Sequence, residues 1–204
     1  MKVIAVQHAQ SEQHLNGMVG GSTEWPLTKL GHKHARKIAK ALRRELGYKP
    51  DYVLYSSDMQ RTAQTAAPIA KALGLDIHWL PDLRELKVGS ATGKSKAWLK
   101  ENEVSRAGVP FLDYRPLPDA ETWREMSQRV AKALQQIEEV GENAIVVAHG
   151  GSLGQFVQQF LRISQEDSWP MGLAGGVHRL ERKTDNSYNG HYVYTLHTFN
   201  EIHF

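Results

Sequence analysis

The sequence predicts a three-layer α/β/α fold with a mostly parallel central sheet, and three observations predict it. Short apolar runs alternate with segments whose apolar residues recur every three or four positions, the pattern of strands followed by helices. The runs are almost continuously apolar, as in strands covered on both faces. Polar residues arrive abruptly where the runs end, and open α/β sheets keep their ligands at the C-terminal ends of their strands. A chain of 204 residues with 41% hydrophobic content suits one domain spanning 1–204.

The first strand is Val3 to Val6 in MKVIAVQHAQSEQH, and it ends on Gln7, His8 and Ala9. A glycine-rich loop, Asn16 to Gly21, leads to a helix whose Ala35, Ile38, Ala39 and Leu42 follow the N-cap candidate Thr28 at helical spacing. Asp51 to Tyr55 is a second strand ending on Ser56, Ser57 and Asp58, and MQRTAQTAAPIAKALGL is a second helix closed by Gly74. A third strand, Ile77 to Leu80, passes through Pro81 into LRELKVGSATGKS. Pro110, Pro116 and Pro118 then break regular structure, so loops and short helices are expected in an insertion at about 94–119. Thr122 to Val140 reads as a long helix, Ala144 to Ala148 as a buried strand and GGSLGQFVQQFL as a helix after its glycines. Gly176 to Arg182 and Tyr192 to Thr198 read as two late strands.

Composition removes several classes of function. Without cysteine there is no disulfide, thiolate metal site or cysteine nucleophile. The net charge of +3 comes from 25 basic and 22 acidic residues with no block of like charge, so no nucleic-acid partner is expected. No 18-residue apolar run and no signal-peptide pattern occurs, which points to a cytoplasmic protein with no membrane partner.

Four polar groups fall at strand ends: His8 with Ser11, Arg61 after Ser57, Glu85 after the third strand, and His149 after AIVVA. On one sheet rim they would converge. A neutral imidazole can attack a phosphoryl group, while an arginine, a second histidine and backbone N–H groups stabilise the non-bridging oxygens. A carboxylic acid can protonate the leaving oxygen. Gly150 and Gly151 permit close approach of backbone to the anion.

VQHAQSE, SSDMQRTAQTA, LRELKVG, PDAETW and VVAHGGSL resemble, in that order, the blocks of the histidine phosphatase superfamily, which includes phosphoglycerate mutases and many small phosphatases. The resemblance spans roughly residues 3 to 155 and implies a phosphoglycerate mutase-like fold. It also implies that His8 is the nucleophile that becomes phosphohistidine, that Arg61 and His149 bind the phosphoryl group, and that Glu85 is the proton donor. Ser11, His14, Gly21 and Gly150 match positions lining the pocket. No metal and no cofactor is implied.

The first block of that family usually reads Arg-His-Gly, and here it reads Gln7-His8-Ala9. Ala9 is tolerable at negative φ. Gln7 offers neutral donors where arginine offers a charged fork, which should weaken phosphate binding about tenfold. Gln7→Arg is therefore expected to raise kcat/KM on phosphate monoesters.

Rival motifs fit the chain less well. GSATGKS at 89–95 has three residues between its glycines where a phosphate-binding P-loop has four, and lacks a preceding strand. GGSLG at 150–154 satisfies the serine-hydrolase elbow pattern, with Asp167 or Asp185 and then His191, His197 or His203 downstream. Too few strands precede Ser152 for that fold. His32 and His34 point to different faces of a helix, and the late histidines read as a solvated edge. The five tryptophans, Trp25, Trp79, Trp98, Trp123 and Trp169, read as core or pocket wall.

The expectation is therefore a phosphatase acting on a small phosphorylated metabolite, with the insertion covering the pocket. Mutase-type transfer is the nearest alternative; the insertion offers only the separated Arg106 and Arg115 where resembling mutases carry paired arginines. A phospho-ligand binding module and the Ser152 hydrolase are the others, and a homodimer stays open. An acidic pH optimum is expected, because a neutral imidazole and a protonated carboxyl are required together and their reference pKa values are ~6.5 and ~4.3.

Overall fold

The computed structural model describes residues 1–164, 166, 172–185 and 191–203. The chain runs β1 (Lys2–Gln7), α1 (Lys29–Leu46), β2 (Val53–Ser56), α2 (Gln60–Leu73), β3 (Ile77–Trp79), α3 (Lys96–Asn102), α4 (Trp123–Val140), β4 (Ala144–Ala148), α5 (Gly150–Phe160), β5 (Val177–Asp185) and β6 (His191–Glu201). The strands form one sheet in the order β3-β2-β4-β1-β5-β6. The first four in that order are parallel, and β5 runs antiparallel to both β1 and β6.

Alternation along the central strands builds both faces. Val3 and Ala5 of β1, with Ala144, Val146 and Ala148 of β4, pack against Val130, Leu134, Ile137, Phe156 and Phe160 of α4 and α5. Ile4, Val6, Ile145 and Val147 pack on the other side against Ile38, Leu42, Ile69 and Leu73 of α1 and α2. The apolar runs in the sequence therefore reflect two cores. Burying each such aliphatic or aromatic side chain contributes about 1.5–3 kcal/mol before the entropy of ordering it is subtracted.

The helix ends follow local chemistry. Thr28 accepts the N–H of Gly31 at 2.9 Å to cap α1, and Gly74 closes α2 in the left-handed conformation at φ 72°. Thr122 and Glu125 exchange side-chain and backbone bonds at the start of α4.

Several expectations shift. The third strand stops at Trp79, and Trp79 is 47% exposed because β3 is a sheet edge, so it belongs to neither core nor pocket wall. The late strands extend to 177–185 and 191–201 as an antiparallel pair. Between 94 and 119 the structure has α3 and a short 3-10 turn at Phe111–Asp113. Trp98 and Leu99 of α3 pack on Val19, Ala91, Leu117 and Ala120, which ties this stretch to the loop after β1. Asp167 and Trp169 lie outside the described residues. Among the described residues, no helix is long and apolar enough to cross a membrane.

Candidate active site

Three strand ends stand side by side because β4 lies between β2 and β1. The ladder continues one step past them, with Ser57 N–H donating to Val147 O at 3.0 Å and His8 N–H to Ala148 O at 2.9 Å. Ser57, His149 and His8 are thus neighbours although 141 positions separate the first histidine from the second.

His8 is 1% exposed, and its Nδ1 lies 2.8 Å from Ala9 O. A carbonyl can only accept, so Nδ1 carries the proton and the lone pair sits on Nε2. Arg61 Nε–H points at that lone pair from 3.3 Å. Burial above all, and then the Arg61 charge, hold the His8 pKa well below the usual imidazole range, against the opposing bond to Ala9. Nε2 is thus the nitrogen whose lone pair is turned to Arg61 and away from the backbone.

Arg61 occupies the first turn of α2 and is fully buried. Its two amino groups donate to Thr23 O at 2.8 Å and Gly21 O at 3.0 Å. Gly21 adopts φ +48°, and a Cβ there would fall 2.5 Å from Val88, so glycine is required at that turn. Thr65 fixes the helix to the strand end, donating to Arg61 O at 2.8 Å and accepting Ala9 N–H at 3.1 Å. Ala9 keeps a negative φ and packs with Leu27 and Ala35, so the departure from glycine costs nothing in backbone strain.

His149 is the N-cap residue of α5, which starts at Gly150 itself and not after the glycines. Its Nε2 lies 2.9 Å from Ser57 Oγ, and its buried Nδ1 has no hydrogen-bond partner among the described residues. Burial, then the charges of Arg61 and His8, press its pKa well below the ordinary value. The His8 and His149 rings meet edge to face with centroids 5.2 Å apart.

Glu85 docks on the start of α5. Its Oε1 accepts from Leu86 N–H at 3.0 Å and Ser152 N–H at 3.3 Å, and its Oε2 from Gly151 N–H at 3.1 Å. With two acceptor sites per oxygen, Oε2 keeps one position free, the place for a transferable proton. A Cβ on Gly151 would collide with Glu85 Oε1, whereas one on Gly150 would meet Gln7 Nε2 only at 3.4 Å. The glycine pair therefore admits the acid as much as an anion.

Gln7 is 6% exposed and lies between Gly150 and Gly172, and its buried Oε1 has no hydrogen-bond partner among the described residues. Ser11 is buried below His14, donating its N–H to His14 Nδ1 at 3.0 Å. The Ser11 hydroxyl and carbonyl oxygens lie 3.1 and 3.2 Å from the same nitrogen, so His14 stays hydrogen-bonded in either protonation state. Its ring stands 5.4 Å from that of His8, exposed at the rim. All nine residues singled out in the sequence thus fall on, or directly support, one rim of the sheet.

Ser152 does not behave as a nucleophile. It is buried, its Oγ donates to Leu83 O at 2.8 Å and accepts His149 N–H at 3.3 Å, and it holds the loop that carries Glu85. His197 pairs with Glu181 at 3.0 Å in the antiparallel strands. Sequence reasoning missed Ser57 as a site residue, although it stands in the strand-end position that identified its neighbours, and it read Gly151 as room for an anion where the structure places Glu85. It also missed Glu121 and Arg129, whose role no local pattern announces.

Residues 3–187 match the model of the histidine phosphatase superfamily (branch 1). The chain is 33% identical over 165 residues to "Probable phosphoglycerate mutase GpmB" of Enterobacter sp. (strain 638), covering 79% of this chain and 75% of that protein. It is 31% identical over 172 residues to "Putative phosphoserine phosphatase 2" of Hydrogenobacter thermophilus, covering 82% of each. In fold it is similar to the alpha-ribazole phosphatase from Shigella flexneri, with a TM-score of 0.83 at 19% identity over 98% of this chain and 96% of that one.

Proposed function

The chain belongs to the histidine phosphatase superfamily, and from that membership we propose that it hydrolyses a small phosphate monoester through a phosphohistidine at His8. The observation that carries the reading is the locked tautomer of His8, whose Nε2 lone pair faces a buried, charged Arg61. In the first step Nε2 forms the bond to phosphorus while the bond from phosphorus to the ester oxygen breaks, and Glu85 gives its proton to that oxygen. In the second step water attacks phosphorus, the bond to Nε2 breaks, and Glu85 recovers a proton from the water. Arg61 and His149 Nδ1–H meet the charge on the non-bridging oxygens. Ser57 supports that tautomer by donating its hydroxyl proton to His149 Nε2. Side chains of this chain alone supply each role, so the step is drawn without metal or cofactor.

Phosphatase is favoured over mutase because the two arginines of the 94–119 stretch are occupied. Arg115 is ion-paired with Glu125 at 2.5 Å, and Arg106 stacks on Phe111 at 5.7 Å. That stretch is read as the cover that selects a small phosphorylated metabolite. The test is phosphate release from p-nitrophenyl phosphate and phosphoglycerate with a chelator present, alongside His8→Ala. Release lost in the variant is the expected result; no release by the parent protein overturns the enzyme reading and makes the pocket a phospho-ligand binding site.

A further inference from the structure

We propose that Arg129, held by Glu121, is a positioning residue that aims the proton donor Glu85, an inference that rests on the phosphatase reading above. Glu85 sits in irregular chain between β3 and a 3-10 turn at Gly89–Ala91, with no strand ladder to fix it. A flexible carboxyl there would spend its time in many orientations.

The structure holds it from α4. Arg129 donates to Asp82 O at 2.8 Å, Arg84 O at 2.6 Å and Glu85 O at 3.0 Å. Its remaining donors grip Glu121, from Nε to Oε1 at 2.7 Å and from an amino group to Oε2 at 2.9 Å. Glu121 in turn accepts Lys87 N–H at 3.1 Å and donates its own N–H to Lys87 O at 2.7 Å. Ser152 Oγ takes the one intervening carbonyl, Leu83 O. Every carbonyl from 82 to 85 is thereby fixed, and the chain is clamped on both sides of Glu85.

The two side chains are 12% and 8% exposed. A buried ion pair of this kind adds little stability beyond an apolar pair of the same volume. What a guanidinium does supply is five donors in fixed directions, which suits it to read three carbonyls and a carboxylate together, a task lysine cannot perform. Arg129 acts through Glu85, and misplacing a catalytic group by an ångström costs on the order of a hundredfold in rate.

The role predicts dependence on the leaving group. p-Nitrophenolate departs without a proton, whereas the alkoxide of glycerol phosphate needs one, so an aimed acid matters for the second substrate alone. The comparison is kcat/KM on both substrates for the parent, Glu85→Gln, Arg129→Lys and the double variant Glu121→Gln/Arg129→Met, which leaves no stranded charge. Glu85→Gln should lose about a hundredfold on glycerol phosphate and only a fewfold on p-nitrophenyl phosphate. The double variant should lose about tenfold and about twofold, Arg129→Lys less, with the inhibition constant of inorganic phosphate unchanged. Adding Glu85→Gln to the double variant should bring it to the Glu85→Gln level and no further.

Equal losses on the two substrates, or weakened phosphate inhibition, would make the clamp merely structural and overturn the proposal while the Glu85→Gln split keeps the phosphatase reading. No split in Glu85→Gln itself would overturn the donor role of Glu85 and this proposal with it. Should the double variant fail to fold, the substrate ratio of Arg129→Lys decides in the same terms.

Discussion

Arg61, which is buried, and Arg129, which is half-buried, both donate to backbone carbonyls, but Arg129 is ion-paired with Glu121 while Arg61, among the described residues, hydrogen-bonds no carboxylate. Burial pushes the Arg61 pKa down, and only the more distant charges of Glu85 and Glu24 work against that. Guanidinium nevertheless stays charged in proteins. On the acid side of the rim, then, positive charge is neutralised where it stands and serves geometry. On the nucleophile side a buried cation with no ion-pair partner among the described residues faces an imidazole, an arrangement that costs stability until an anion enters. On the proposed phosphatase reading, the difference assigns phosphate recognition to the nucleophile side and proton delivery to the acid side.

The largest expected effects break the nucleophile side. His8→Ala should lower phosphate release by at least ~10³-fold, the scale of removing a nucleophile. Arg61→Met should cost about 10²–10³-fold, and alike on p-nitrophenyl and glycerol phosphates, because it stabilises oxygens that both substrates share. A loss confined to glycerol phosphate would assign Arg61 to the acid side and dissolve the contrast. Inorganic phosphate should also raise the melting temperature of the parent by relieving the buried charge, with about 2.7 kcal/mol available at a hundredfold excess over Kd. That rise should vanish in Arg61→Met; a thermal scan of both proteins with and without phosphate reads it.

The two glycines at the start of α5 sharpen the comparison at close range. In Gly151→Ala the new methyl lands on Glu85 Oε1, so kcat/KM on glycerol phosphate should fall on the order of tenfold to a hundredfold while p-nitrophenyl phosphate is spared. In Gly150→Ala the new contact is an ordinary one at 3.4 Å from Gln7 Nε2, and neither substrate should change more than about threefold. Equal damage from both alanines would mean that the helix start is read by phosphate and not by Glu85.

A smaller effect is expected at Gln7, where a neutral amide borders the pocket. Gln7→Arg should tighten inhibition by inorganic phosphate about tenfold, the difference between a charged and a neutral hydrogen bond. An unchanged inhibition constant would show that the Arg61 side already satisfies the anion. The expected acidic optimum gains support from the lowered His8 pKa, because a nucleophile that stays neutral into acid overlaps with a protonated donor over a wider range.

Much of this was legible in the sequence because it depends on alternation and on strand ends. Val3 to Val6 and Ala144 to Ala148 announce strands buried on both faces, and the first polar residue after such a strand must lie on the ligand rim. What stayed hidden depends on contacts across the chain. Arg124 and Arg129 stand five residues apart on α4, and neither is marked out by residue type. Arg124 pairs with Asp113 at the surface, whereas Arg129 turns inward onto carbonyls 44 to 47 positions away. The antiparallel course of β5 was hidden for the same reason, since β-alternation reads the same in both directions.

The smallest effect concerns stability, and it separates the histidines of the site from one that only adjoins it. His178 of β5 is 2% exposed, accepts Asn200 N–H at its Nδ1, and is pushed by burial down to about 4. In the unfolded chain its pKa returns to ~6.5, so as pH falls through the window from 6.5 towards 4 the unfolded chain takes up the proton first. Folding stability is therefore full above that window, declines within it by about 1.4 kcal/mol per pH unit for this one group, and levels off below it. His8 and His149, also held below the usual range, decline in the same sense. Denaturant unfolding at pH 7, 6 and 5 should show that slope, and His178→Gln should remove about one proton's share of it while leaving kcat/KM near the parent value. Phosphate should flatten the remaining slope if protonation of His149 is what the anion tolerates, and should leave it untouched if the anion needs both site histidines neutral, so the residual slope reports the charge state in which the nucleophile side of the pocket works.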